Sequence, residues 1–86
     1  MSDTIKNAAD FVRYVLEQLC EHKDQINVEA NKDDLGILVT VTVADADMGK
    51  LIGKQGQTIT SLRTLVRIIG ARDGERVNLK VLEPEA

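Results

Sequence analysis

Met48-Gly-Lys-Leu-Ile-Gly-Lys-Gln-Gly-Gln-Thr-Ile59 sets a four-residue turn, Gly53-Lys54-Gln55-Gly56, between two short patterns of helical apolar spacing. Two glycines three apart permit positive φ and let the main chain come close to a ligand, which a side chain at either position would prevent. A helix starting near Gly56 follows directly. Its first N–H groups have no partner inside the helix, and its dipole places partial positive charge there, so an anion is the natural guest. Lys54 at the tip adds a point charge on a flexible stem. The stretch reads as a phosphate clamp; taken alone, a Gly-x-x-Gly pair also describes a plain helix-turn-helix joint.

The flanks of this turn set the fold. Residues 4–22 form an amphipathic pattern with Ile5, Ala8, Ala9, Val12, Val15, Leu16, Leu19 and Cys20 on one stripe, Ser2, Asp3 or Thr4 as its cap and His22 at its end. Gln25 to Asn31 alternates, with Ile26, Val28 and Ala30 on one face. After Lys32-Asp-Asp-Leu-Gly36 the alternation resumes, Ile37, Val39, Val41 and Val43 against Leu38, Thr40 and Thr42, which predicts a hairpin with one buried face. Asp45 opens a short helix through Leu51. Beyond the glycine turn, Ile59, Leu62, Leu65, Val66 and Ile69 mark the core stripe of a longer helix that Gly70 is expected to stop. Asp73-Gly74 then turns the chain into a last strand with Val77, Leu79 and Val81 facing in. The order is αββααβ. A two-helix crossover makes the second and last strands parallel neighbours, so the expected class is α+β, a three-stranded mixed sheet covered on one face by three helices.

At 86 residues the chain is read as one domain, with an ordered core over 4–82 and an acidic tail over 83–86. No apolar run approaches a membrane span, and Met1 to Lys6 lacks the pattern of an export signal. One cysteine fits a reducing compartment, and a cytoplasmic location is expected. The net charge of −3 is unevenly spread: residues 48–72 hold Lys50, Lys54, Arg63, Arg67 and Arg72 and no carboxylate, a local +5 that leaves −8 elsewhere. Five cations in a helical stretch can be a solvated surface; on an acidic body they also make an anion-seeking face.

Ile52-Gly-x-x-Gly-x-x-Ile59, set between strand-helix and helix-strand, resembles the signature of the K-homology (KH) domain, whose glycine loop clamps about four nucleotides of a single strand. The element order resembles the type II, prokaryotic arrangement, and the likeness covers essentially the whole chain. A free-standing domain of this size is similar to the KhpA family of small bacterial KH proteins. That resemblance implies single-stranded RNA as partner, pairing as a homodimer or as a heterodimer with a KhpB (Jag) type protein, and links to RNA chaperoning and to cell shape and envelope growth. Carried onto this sequence, it assigns the clamp to Gly53, Lys54, Gln55 and Gly56 with Ile52 and Ile59 as apolar flanks. Main-chain N–H groups around Gly56 and Gln57 would meet phosphate, and bases would lie between the Lys50-Leu51-Ile52 helix and the second strand, with Arg63 and Arg67 guiding the strand. Phe11 and Tyr14 are the only aromatics, so an aromatic stacking row is not available. Ile68 falls outside the core stripe, at a position open to a partner.

Enzyme readings fail on spacing. Lys54 is followed by Gln55 where a Walker loop needs Ser or Thr. Asp45 and Asp47 read as helix-opening caps, and one His with one Cys assembles neither a zinc site nor a Cys-His nucleophile. No cofactor, metal or small-molecule substrate is expected. A KH-fold protein-interaction module and a single-stranded DNA binder remain the rival readings.

Overall fold

Ala8, Val12, Leu16 and Cys20 recur every four residues and are all buried, which turns one stripe of α1 (Ser2–Leu19) onto a sheet. The computed structural model describes residues 2–52 and 56–82. Helix α1 starts and stops earlier than the sequence predicts. Thr4 is not a cap but lies buried, donating from Oγ1 to Asp73 Oδ2 at 2.7 Å, which ties the start of α1 to the end of the second long helix. Leu19, expected on the buried stripe, is exposed because the helix ends there, and Cys20 fills the slot a turn beyond Leu16. His22 therefore lies past the helix, before a 3-10 turn over Lys23–Gln25 where the sequence placed the start of a strand.

Strands β1 (Asn27–Asp33) and β2 (Gly36–Thr42) pair antiparallel from Asn27↔Thr42 to Asp33↔Gly36, so the turn is only Asp34 and Leu35. Helices α2 (Asp45–Ile52) and α3 (Gln57–Arg72) cross over to β3 (Val77–Val81), which pairs parallel with β2 from Ile37↔Val77 to Val41↔Val81. The sheet order is β1-β2-β3, as the sequence predicts, with β2 in the centre. Ile37, Val39 and Val41 of β2 join Val77 and Leu79 of β3 on the inner face. Against them pack the α1 stripe, Leu51 of α2, and Ile59, Leu62 and Val66 of α3. A one-residue slip of β2 would put Leu38, Thr40 and Thr42 there instead. At about 1.5–3 kcal/mol per buried aliphatic side chain, the alternation fixes the register.

The end of α3 departs from expectation. Gly70 does not stop the helix; it is buried within it, and a Cβ there would come 2.5 Å from Val77 Cγ2 and 2.6 Å from the Glu75 carbonyl oxygen. Its bare backbone lets α3 close onto the chain entering β3. The stop comes at Gly74, at φ 72: its N–H donates to the Ala71 carbonyl at 3.1 Å while Glu75 N–H donates to the Gly70 carbonyl at 2.8 Å, a Schellman ending. Leu65, expected in the core stripe, is 42% exposed, and Ile68 is 61% exposed. Among the described residues no helix is long and apolar enough to cross a membrane.

Candidate functional site

The Gly53–Gly56 segment joins α2 to α3, so whatever fixes these helices sets where it starts and ends. Asp47 fixes α2. Its side chain is 1% exposed and accepts the main-chain N–H of Glu21 at 3.0 Å and of His22 at 2.9 Å, two donors in the chain that leaves α1. The Glu21 N–H holds this carboxyl below its ordinary value; burial opposes, and His22 adds to the lowering. Asp47 thus does not serve as the cap of its own helix that the sequence suggests, but binds α2 to the end of α1. One turn on, Lys50 Nζ donates to Glu21 Oε1 at 2.8 Å, an exposed pair that lowers the Glu21 carboxyl and raises the Lys50 ammonium. Lys50, a predicted ligand residue, is therefore engaged with Glu21 in this structure.

At the start of α3, Gly56 is the N-cap in the left-handed region at φ 73, ψ 20, and being glycine it has no side chain to cap the helix. A Cβ at Gly56 would meet only Ile59 Cγ2, at 3.9 Å, so glycine is required by conformation and not by crowding. Gln57 is exposed as the first residue of α3 and Ile52 half-exposed as the last of α2. Ile59, assigned as an apolar flank, is 8% exposed and belongs to the core. Gly53, Lys54 and Gln55, the predicted tip, lie outside the described residues, as do residues 83–86.

The groove expected from the sequence stands against a different setting. It was placed against the second strand, but β2 is central and both its edges are occupied by neighbours. The free edge near α3 belongs to β3. Ile37 N–H donates to the Arg76 carbonyl at 2.7 Å and Leu82 N–H to the Val41 carbonyl at 2.9 Å. In a parallel ladder these bonds turn Asn78 and Lys80 toward β2 as well, and leave the main-chain groups of Val77, Leu79 and Val81 facing outward. Helix α3 packs along this strand, and Arg63 Nε donates to the Leu79 carbonyl at 3.2 Å. Arg67, one turn further, lines a cleft of about 410 Å³ with Glu75, Arg76, Val77 and Asn78. Arg63 and Arg67 are thus brought together along the α3–β3 channel, while Lys50 lies apart at the α1–α2 contact. Sequence reasoning missed Asp47's bonds, Arg76 and the outward groups of β3. The last were within reach, because parallel pairing assigns alternate residues of an edge strand to its free side.

An αββααβ chain whose central strand and last strand are parallel neighbours, with a Gly-x-x-Gly sequence between the crossover helices, has the type II KH fold. The family described as KhpA/KhpB, KH domain, matches residues 9–81, and the chain belongs to that family, which is not a family of enzymes. The protein named RNA-binding protein KhpA in Chlamydia caviae is 32% identical over 74 residues, covering 86% of this chain and 95% of its own. Its namesake in Aquifex aeolicus is 35% identical, with 86% and 94% covered, and that in Listeria monocytogenes 26% identical, with 86% and 97% covered. No solved structure matches.

Proposed function

We propose that this chain binds single-stranded RNA, holding a backbone phosphate at the α2–α3 turn and laying bases along the α3–β3 channel. The observation that carries the reading is the start of α3: a left-handed glycine N-cap without a side-chain cap, where helix N–H groups and dipole favour an anion. Support comes from relatives named RNA-binding proteins across nearly their whole lengths. In this reading Ile52, Gly53, Lys54, Gln55, Gly56 and Gln57 form the clamp. Ile59 shapes it from the core, and Lys50, Arg63 and Arg67 supply charge around it. Bases are held by aliphatic surface and the outward main-chain groups of β3, since aromatic stacking is not available. Two to four phosphates neutralised would give a salt dependence near −0.7 per contact and modest affinity from one domain.

Pairing would strengthen such a module by raising effective concentration. Leu65 and Ile68, both exposed on α3, favour a contact with a second copy or with a KhpB-type protein. Action as an RNA chaperone or post-transcriptional regulator in cell shape and envelope growth is the physiological form of the proposal. The test is Lys54→Asp with Gln55→Asp, which puts two carboxylates where phosphate would sit. Gel-shift binding to single-stranded RNA should vanish while circular dichroism and melting stay unchanged. Retained RNA binding would sink the reading, and equal wild-type affinity for single-stranded DNA of the same sequence would show that the sugar is not read.

A further inference from the structure

We propose that Glu21 is a positioning residue of the RNA site: in the free protein its carboxylate stands on Lys50 in place of a phosphate, and a bound strand displaces it. The proposal rests on the reading of the Gly53–Gly56 segment as a strand-binding site.

Lys50 lies two residues before the end of α2, the helix that leads into that segment. Its Nζ donates to Glu21 Oε1 at 2.8 Å, and among the described residues it has no other partner. The other carboxylate that acts on it, Asp47, is buried, with one oxygen on the Glu21 N–H and the other on the His22 N–H. Glu21 is therefore set in place twice, its main chain by Asp47 and its carboxylate by Lys50. Chiefly through the bond they share, the Glu21 carboxyl falls below its ordinary value and the Lys50 ammonium rises above its own. Asp24, on the 3-10 turn just beyond, is exposed too but binds no cation among the described residues.

The pair is built to exchange. Lys50 and Glu21 are 46% and 74% exposed, and ion pairs this open to water are weak. A lysine carries a compact charge with three rotatable donors on a flexible stem, so it can leave one oxygen acceptor for another without moving α2. A strand held on the Gly53–Gly56 segment brings its neighbouring phosphates to the end of α2 at high effective concentration, which a fixed carboxylate opposes only weakly. Phosphate then takes the ammonium, and the released Glu21 returns to water and counterions. Two consequences follow from that release. Binding is weaker than an unpaired Lys50 would give, and it depends less on salt, because the freed carboxylate recaptures part of the cation cloud that the phosphate sheds.

Fluorescence anisotropy with a ten-nucleotide oligouridylate tests this on wild type, Glu21→Gln, Lys50→Gln, their double variant, Lys50→Arg with and without Glu21→Gln, Asp24→Asn, and Lys54→Asp/Gln55→Asp. Glutamine at 21 keeps the main-chain N–H on Asp47, so melting should not change. Glu21→Gln should bind roughly two- to fivefold more tightly, with a salt slope steeper by up to about 0.7. Lys50→Gln should bind more weakly than wild type, and adding Glu21→Gln to it should change nothing, since the carboxylate acts through the lysine. Lys50→Arg, which keeps the charge, should restore both the binding and its response to Glu21→Gln. Asp24→Asn removes the same charge from a nearby position and should gain less. The proposal is overturned, with the Gly53–Gly56 segment untouched, if Glu21→Gln binds as wild type does, if its gain survives in full beside Lys50→Gln, or if Asp24→Asn matches it. If Lys54→Asp/Gln55→Asp binds normally, the reading of the segment fails and the role of Glu21 falls with it.

Discussion

Asp47 Oδ2 lies 2.9 Å from the His22 main-chain nitrogen, with Oδ1 on the neighbouring Glu21 nitrogen, so a buried carboxylate from the first turn of α2 closes the end of α1. Truncation would leave two donors without their acceptor and free α2 from its anchor. Asp47→Ala is therefore expected to lower the melting temperature by roughly 5–10 °C. Because α2 leads into the glycine turn, RNA affinity should fall as well. A variant that melts like wild type would show that the bonds carry no net stability.

The same carboxylate sets an acid limit. Its folded pKa lies below the ordinary aspartate value of 3.8, so the unfolded chain takes up the proton first as pH falls. The stability it contributes is complete well above 3.8 and is lost as pH drops below that value through the depressed folded one. Melting followed from pH 7 down to pH 2 should show the gap between wild type and Asp47→Asn narrowing as pH falls below 3.8. A constant gap would contradict the assignment.

Gly70→Ala should destabilise by about 1–3 kcal/mol, since the new methyl meets Val77 and the Glu75 carbonyl across a close contact of α3 with the start of β3. Urea unfolding measures it. A neutral outcome would mean that α3 can step back without loss.

Gly56→Ala carries a different penalty. The left-handed backbone costs an L residue about 1 kcal/mol, with no neighbour in the way. Stability should drop by that modest amount, while RNA affinity drops more, because relaxing φ reorients the first N–H groups of α3. Equal binding would separate the glycine from the clamp.

Ile68→Glu should leave melting nearly unchanged, as the side chain is 61% exposed, and should shift light-scattering mass toward the monomer if α3 pairs with a second copy. An unchanged mass at every concentration would remove this face from any self-association.

Much of this architecture was written in period and order. Alternation at Ile37, Val39 and Val41 gave the central strand its inner face, and two helices between β2 and β3 forced the parallel pair. What escaped depended on partners far along the chain. Nothing local distinguishes Asp47, clasping residues twenty-five positions away, from a helix cap. Gly70 looked like a terminator because the closeness of Val77 is a tertiary fact. Leu65 and Leu19 fit the apolar spacing, yet one faces solvent from α3 and the other sits where α1 runs out. The groove was drawn against the central strand although the strand order was legible, and Arg76 was overlooked because it falls outside the basic stretch.

A sheet rim with unclaimed amides and carbonyls invites a neighbouring molecule to add its own strand, the first step of stacking into fibres. Here α3 runs alongside that rim and Arg63 stoppers the Leu79 carbonyl in its middle. The helix that frames the ligand channel thereby also guards against self-templated aggregation, and a chain lacking the Arg63 side chain would lose part of its colloidal safety along with any loss of grip.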